Sequence, residues 1–162
     1  MDVRPFEPGD EAAICEIYNH YITGTVVTFE EHPLTPQQMR ERIDAYRASY
    51  PWLVCVSDGV VVGYSYAARF HQRAAYRHSA EMTVYVRQGL ERRGIGRRLY
   101  EPLIRHLQTQ GCHALLAGIS LPNEASIGLH EALGFTKVAH FAQVGHKLGE
   151  WVDVGYWQRL LP

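Results

Sequence analysis

The feature that most constrains this chain is a short strand that leads through a glycine-containing turn directly into a helix. The strand is Val84-Tyr85-Val86, and the turn ends in Arg92-Arg93-Gly94-Ile95-Gly96-Arg97. Gly94 and Gly96 let a ligand approach the backbone closely, and the first turn of a helix offers free N–H groups at the positive end of its dipole. Neighbouring arginines can pair with phosphate groups. The segment therefore predicts a cradle for a pyrophosphate group.

The glycine pair alone leaves other interpretations open. A lone Gly-x-Gly is also typical of a tight turn beside a solvated basic face. A dinucleotide-binding fold would need Gly-x-Gly-x-x-Gly soon after the first strand, and an acidic ribose ligand further along. Here Arg98-Leu99 occupies the region of the third glycine, and the motif lies past the middle of the chain. We therefore reject the dinucleotide-binding interpretation.

The basic residues near this motif contrast with a nearly neutral chain. Sixteen Lys and Arg residues against 17 Asp and Glu residues give a formal charge of -1. This balance does not indicate a nucleic-acid or membrane partner. A basic cluster in a neutral protein indicates a small anionic ligand instead. The cluster consists of Arg87, Arg92, Arg93, Arg97 and Arg98.

The three cysteines, Cys15, Cys55 and Cys112, show neither metal-ligand spacing nor a disulfide framework. We therefore expect no metal site and a reducing, cytoplasmic environment. The charged segment Met1 to Pro8 lacks the apolar region of a signal peptide, and no apolar run is long enough to span a membrane.

Periodicity, caps and turn signals predict seven strands and four helices. Asp10 is expected to cap the first helix, Thr35-Pro36-Gln37-Gln38 predicts a capping box with proline in the first turn, and Asp58-Gly59 predicts a hairpin turn. The other helices are expected from Thr35 to about Ser49, Gly94 to Gln110, and Asn123 to Leu133 with Gly134 as C-cap. The predicted strands are Val3 to Phe6, Trp52 to Val56, Val60 to Ala67, Glu81 to Val86, Ala114 to Ile119, Thr136 to Val144 and Glu150 to Gln158.

The order of these elements combines hairpins with crossovers between parallel strands. That combination predicts an α+β fold with one mixed, mostly antiparallel sheet flanked by helices. A length of 162 residues is typical of one compact domain, and we see no linker or repeat. We expect a single domain over residues 1–162.

The motif and its surroundings resemble the GCN5-related N-acetyltransferase (GNAT) superfamily. The superfamily signature is Gln/Arg-x-x-Gly-x-Gly/Ala at a strand–helix junction, followed by a helix that contains Asn and ends in Gly-Phe. This chain has Glu91-Arg92-Arg93-Gly94-Ile95-Gly96, then Asn123-Glu124-Ala125-Ser126, and Leu133-Gly134-Phe135. Glu91 departs from the usual Gln or Arg but leaves the backbone amides in place. The resemblance implies the GNAT fold, with its sheet splayed where the cofactor enters, and acetyl-CoA as the acetyl donor.

The likeness narrows to the phosphinothricin N-acetyltransferase and methionine sulfoximine acetyltransferase-like family, and it spans nearly the whole chain. It implies a homodimer and a small amino-acid-like acceptor. The segments that carry it are Ile17 to Ile22, Tyr50 to Val54, Arg73 to Tyr76, Glu81 to Val86, Leu121 to Asn123, Ser126, His130 to Phe135, Val144 to Lys147 and Trp151 to Gln158.

An amine must lose a proton to attack a thioester, and Glu81 is our candidate base because it begins the strand that leads into the glycine turn. The alternative is a carboxylate paired with a nearby arginine such as Arg77. His130 matches the position where many relatives carry a proton-donating Tyr, and a structural role is equally compatible with the sequence. The cofactor is expected to bind at Val84, Tyr85, Val86, Arg92, Arg93, Gly94, Ile95, Gly96 and Arg97, with Asn123 and Ser126 along its pantetheine arm or the amide product.

An amino-acid substrate carries a carboxylate, and Arg73 with Tyr76 offers a cation and a hydroxyl that fit one. Phe29 and Tyr66 are expected to line the pocket. His71 stands where herbicide-acetylating relatives carry Lys, which favours a sulfoximine or sulfone over phosphinothricin. A protein N-terminus, an aminoglycoside, and a non-catalytic acetyl-CoA sensor are the alternatives; the sensor would need neither Glu81 nor Arg73.

Overall fold

Seven strands form one mixed sheet in the order β1-β2-β3-β4-β5-β7-β6. The structure is a computed structural model and describes residues 1–162. All neighbouring strands are antiparallel except β4 and β5, which confirms the predicted mixed, mostly antiparallel sheet. The strands are β1 Asp2–Pro5, β2 Trp52–Ser57, β3 Val60–Arg69, β4 Ser79–Val86, β5 Ala114–Ser120, β6 Thr136–Lys147 and β7 Glu150–Leu160.

Four helices flank this sheet and enclose a hydrophobic core on each of its faces. They are α1 Glu11–Gly24, α2 Pro36–Arg47, α3 Ile95–Thr109 and α4 Glu124–Ala132. Strand β2 contributes side chains to both cores, because successive side chains of a strand point to opposite faces of the sheet. Trp52 and Val54 join the core beneath α1 and α2, whereas Leu53 and Cys55 join the core beneath α3. None of the helices is long and apolar enough to cross a membrane.

The predicted local signals differ in outcome. The Thr35 hydroxyl accepts from Gln38 N at 3.1 Å and the Gln38 side chain accepts from Thr35 N at 2.9 Å, which confirms the capping box. Asp58 and Gly59 both have positive φ, as the predicted hairpin turn requires. Asp10 lies at the predicted N-cap position of α1, where its backbone carbonyl accepts from Ile14 N at 3.0 Å, but its side chain makes no capping hydrogen bond. Its carboxylate instead accepts two hydrogen bonds from Arg4, at 2.8 and 2.9 Å, because that charged partner lies within reach.

The pair β4 and β5 creates the opening in the sheet. Only three residues of each strand are in register, and the last pair is Glu81 with Leu116. Beyond that pair the two strands diverge, and their remaining backbone groups face a gap. The gap is where the structure places its largest cavity.

Candidate functional site

A cavity of about 610 Å³ lies between the diverging ends of β4 and β5. Its floor comes from Glu81 to Tyr85 of β4 and Ala117 to Ser120 of β5. Among the side chains predicted for the site, it brings together Glu81, His130, Phe29, Tyr66, Asn123 and Ser126.

Glu81 stands at the point where the sheet splits. Burial raises the pKa of its carboxyl, and the nearby charge of His71 opposes that shift. The predicted alternative, an ion pair with Arg77, does not form: Arg77 donates to the Ala74 carbonyl at 3.2 Å, and Glu81 takes part in none of the chain's ion pairs. A desolvated carboxylate that forms no ion pair is available to accept a proton inside the cavity.

His130 lies on α4 and is 2% exposed. Its Nδ1 lies 2.7 Å from the carbonyl oxygen of Ser126, which can only accept, so Nδ1 carries the proton. Burial lowers the pKa of the imidazole, which favours the neutral form. In that tautomer Nε2 is an acceptor and receives a hydrogen bond from the Tyr100 hydroxyl at 3.2 Å. Both ring nitrogens are therefore occupied by protein groups.

A second cleft of about 390 Å³ lies over the N-terminus of α3. The backbone enters this helix through positive φ at Arg92 and Gly94, and the first helical N–H groups have no partner within the helix. Gly96 brings α3 close to α4, since a Cβ at this position would lie 2.8 Å from the Leu129 side chain. Ten of the predicted cofactor residues line the cleft; they are Val84, Tyr85, Val86, Arg92, Gly94, Ile95, Gly96, Arg97, Asn123 and Ser126.

Arg93 is exposed and does not line the cleft. Arg87 of the predicted basic cluster is directed elsewhere, because it donates to the Val61 carbonyl and pairs with Glu16 at 3.3 Å. Glu91 accepts from Gly89 N at 2.9 Å and so supports the turn itself. The arginines that line the cleft are Arg92 and Arg97, next to free helix amides, and Arg97 also pairs with Glu101 at 2.7 Å. This donor set suits a pyrophosphate group.

The cleft and the cavity adjoin each other, and we call the two together the channel. Both are lined by Val27, Val84, Tyr85, Asn123 and Ser126. The channel therefore leads from the cationic start of α3 to Glu81. A long ligand with an anionic end and a reactive end could occupy both parts at once.

The loop between α1 and α2 forms the opposite wall of the cavity. Lys147 of β6 is 3% exposed and donates to the Thr28 carbonyl at 2.7 Å. Phe29 packs directly on Gly145, where any Cβ would overlap its ring. Arg42 holds the same loop through a bidentate ion pair with Glu30, at 2.7 and 2.8 Å. These contacts fix the wall from two sides.

The remaining predicted substrate residues lie in the loop between β3 and β4, outside the cavity lining. Arg73 is exposed and forms no ion pair. The Tyr76 ring packs edge-on against His71, with centroids 4.9 Å apart. The charge of His71 partly offsets the rise that burial causes in the pKa of Glu81, so this loop lies within electrostatic reach of the cavity. Arg73 is thus a cation without a protein partner in the loop beside the cavity.

Tyr100, Gly118 and Tyr156 also line the cavity and were not predicted. Tyr156 is paired with Gly118 across β7 and β5, and its ring occupies the space that a side chain at Gly118 would fill. The glycine within the apolar strand β5 was a signal for such a close approach. The sequence signal for Tyr100 was weak. It consisted only of a hydroxyl-bearing side chain among the core-facing positions of α3.

Known proteins show the same sequence pattern and the same fold. A family model described as an acetyltransferase (GNAT) domain matches residues 3–155. A phosphinothricin N-acetyltransferase of Streptomyces viridochromogenes is 42% identical over 159 residues, covering 98% of this chain and 87% of the relative. An L-methionine sulfoximine/L-methionine sulfone acetyltransferase of Salmonella typhimurium is 36% identical, covering 98% of this chain and 93% of the relative.

The fold agrees with a crystal structure of a phosphinothricin acetyltransferase of the GNAT superfamily, from Sinorhizobium meliloti, in complex with acetyl-CoA. The TM-score is 0.95 at 33% identity, covering 99% of this chain and 88% of that one.

Proposed function

This chain belongs to the GNAT acetyltransferase family and is an acetyl-CoA-dependent N-acetyltransferase, and from that premise we propose that it acetylates the amine of a small amino-acid-like molecule with Glu81 as general base. The observation that carries the proposal is the channel from the start of α3 to a half-buried carboxylate that forms no ion pair. It joins a site for an anionic donor to a group that can remove a proton.

The donor half of the proposal uses the cleft. Acetyl-CoA supplies a thioester whose carbonyl carbon accepts the amine, and its pyrophosphate fits the free amides at the start of α3 with Arg92 and Arg97 beside them. Ile95 and Gly96 bring that backbone close, and Val84 to Val86 of β4 line the path inward. Asn123 and Ser126 line both cleft and cavity, which suits contact with the pantetheine arm.

The acceptor half uses the cavity. An α-amino group has an ordinary pKa of about 8, so at neutral pH it needs only a modest base. Glu81 takes the proton that the amine nitrogen loses as it attacks the thioester carbonyl. The raised pKa of Glu81 makes its carboxylate a stronger base than an exposed one.

The size and charge of the surroundings favour an amino-acid-like acceptor. A cavity of about 610 Å³ is walled by Phe29 and Tyr66. Arg73 provides a free guanidinium in the adjacent loop for the acceptor's carboxylate, and Tyr76 a hydroxyl. His71 provides a weaker positive charge than Lys would. This weaker charge reduces the affinity for a neutral sulfoximine or sulfone less than the affinity for the dianionic phosphinothricin.

A thiol-release assay with acetyl-CoA tests both halves. We expect L-methionine sulfoximine and L-methionine sulfone to give higher kcat/KM than phosphinothricin. Glu81→Gln should lower kcat by about 10²- to 10⁴-fold, the range of general-base catalysis, with calorimetric acetyl-CoA affinity retained. Glu41→Gln, an exposed carboxylate on α2, is the matched control and should keep full activity.

Two results would contradict the proposal. If phosphinothricin is the best acceptor, the interpretation of His71 is wrong. If Glu81→Gln keeps wild-type turnover across the pH range, Glu81 is not the base.

A further inference from the structure

We propose that Tyr100 is a catalytic residue that relays a proton from Glu81 to the departing sulfur of coenzyme A, and that His130 is the residue that positions it. This inference rests on the proposed role of Glu81. It assigns Tyr100, a residue with no role from the sequence, and it changes the role of His130 from proton donor to hydrogen-bond acceptor.

The hydrogen bonds of His130 exclude it as a direct donor to the cavity. Its Nδ1 proton is held by the Ser126 carbonyl at 2.7 Å, and its Nε2 accepts from the Tyr100 hydroxyl at 3.2 Å. The imidazole is buried, which lowers its pKa and favours the neutral form, and a neutral ring has no second proton to give. Of this pair, only Tyr100 has a proton that it can redirect into the cavity.

Tyr100 is well placed for that role. It is 1% exposed, yet it lines the same cavity as Glu81 and His130. Its ring meets the imidazole edge-on, with centroids 5.2 Å apart, which fixes where the hydroxyl oxygen lies. Burial is the main cause that raises the pKa of Tyr100, and the charges of Tyr66 and Glu81 raise it further, so Glu81 lies within electrostatic reach of the phenol.

The proton balance closes without another reactant. The amine nitrogen forms a bond to the acetyl carbon and gives its proton to Glu81. The carbon–sulfur bond then breaks, its electron pair stays on sulfur, and sulfur takes the Tyr100 hydroxyl proton. The phenol oxygen takes the proton held by Glu81, directly or through a water, which restores both residues.

The energetics favour this direction. A carboxylic acid is a stronger acid than a thiol, whose ordinary pKa is about 8.5, so the net transfer from Glu81 to sulfur is downhill. Rotation about the Cζ–Oη bond redirects the hydroxyl proton from Nε2 to the sulfur without moving the ring. A thiolate is the better acceptor because charged acceptors form stronger hydrogen bonds than neutral ones.

The test is a double-mutant cycle with Tyr100→Phe, His130→Leu and the double variant, assayed with L-methionine sulfone. Tyr100→Phe removes one oxygen and should lower kcat by about 10²-fold, with KM for acetyl-CoA and its calorimetric affinity within about twofold of wild type. His130→Leu should lower kcat less. The double variant should be no slower than Tyr100→Phe, because His130 acts through Tyr100.

Each alternative outcome is decisive. Wild-type kcat in Tyr100→Phe overturns the relay, and losses that multiply in the double variant overturn the positioning role of His130. A slow Glu81→Gln beside a normal Tyr100→Phe overturns only this inference, whereas a normal Glu81→Gln overturns the base and the relay together. If the wild-type protein does not acetylate the sulfone, the same variants are compared by their rates of acetyl-CoA hydrolysis without an acceptor. Hydrolysis releases the same coenzyme A thiolate.

Discussion

Burial shifts the pKa values of two side chains of the cavity, Glu81 and His130, in opposite directions. It raises the pKa of the Glu81 carboxyl and lowers the pKa of the His130 imidazole, because desolvation disfavours the charged form of each. For Glu81 this shift strengthens a base. For His130 it favours the neutral ring, in which Nδ1 donates to Ser126 and Nε2 accepts from Tyr100.

The neutral state of His130 should appear in the pH dependence of stability. An imidazole in the unfolded chain has a pKa of about 6.5, and the folded value is lower, so below that pH the unfolded state binds more protons. The free energy of unfolding should therefore fall as the pH drops below about 6.5, by at most about 1.4 kcal/mol per pH unit from this residue.

Urea unfolding of wild type and His130→Gln between pH 7.5 and 5 measures this contribution. The variant should lose less stability than wild type over the same interval, whatever its starting value. Identical slopes would show that folding does not lower the pKa of His130.

At the residue scale, the sequence was informative where a side chain belongs to a local motif. Glu81 precedes the glycine turn on its own strand, so its position followed from a short segment. Tyr100 and His130 are 30 positions apart and lie on different helices. Their contact depends on how α3 and α4 pack, which no local pattern encodes.

At the scale of the elements, the start of α3 has two glycines with different roles. Gly94 adopts a positive φ and has open space where a Cβ would be, so it serves the turn. Gly96 has ordinary backbone geometry but lies against Leu129 of α4, which lines the cleft. The close approach of the two helices therefore depends on Gly96.

Gly96→Val should weaken acetyl-CoA binding by more than tenfold, because the added methyl groups must displace Leu129 or enter the cleft. Isothermal titration calorimetry on the folded variant measures the effect. Gly128→Ala is the control, since a Cβ at this exposed position of α4 meets nothing within 4 Å. Unchanged affinity in Gly96→Val would place the cofactor elsewhere.

Most elements could be predicted because their signals are local: the capping box at Thr35, the turn at Asp58, and the apolar run of β2. The predictions were less accurate where a distant partner decides the outcome. The Asp10 carboxylate binds the Arg4 guanidinium rather than an N–H group of its own helix. Strand β6 continues to Lys147 past the predicted Val144, because pairing with β7 extends it beyond a bulge between Phe141 and Gly145.

On the scale of the whole molecule, apolar surface is concentrated at one end of the sheet. Six of the ten exposed large hydrophobic residues lie on β6, β7 and the hairpin between them, and β6 is an edge strand. Exposed apolar patches and open strand edges are typical of interaction surfaces. The six are Val138, Phe141, Val144, Leu148, Trp151 and Leu160.

We propose that this surface pairs two copies of the chain. The family resemblance implies a homodimer, and two apolar segments, Thr23 to Phe29 and the Trp-rich last strand, are candidates for its interface. The structure brings these parts together, because Phe29 packs on Gly145 of β6 and Trp151 of β7 lies across from His146. Both segments thus contribute to one side of the molecule.

Light scattering should give about twice the 18.5 kDa mass of one chain for wild type. Trp151→Glu should give a monomer, because it places a charge on the most exposed side chain of the patch, 66% exposed, which a partner would have to desolvate. Val60→Glu is the matched control: Val60 is 50% exposed but begins β3, away from β6 and β7, so this variant should remain dimeric. A wild-type monomer at working concentrations would contradict the dimer, and loss of the dimer in Val60→Glu alone would move the interface to the other half of the sheet.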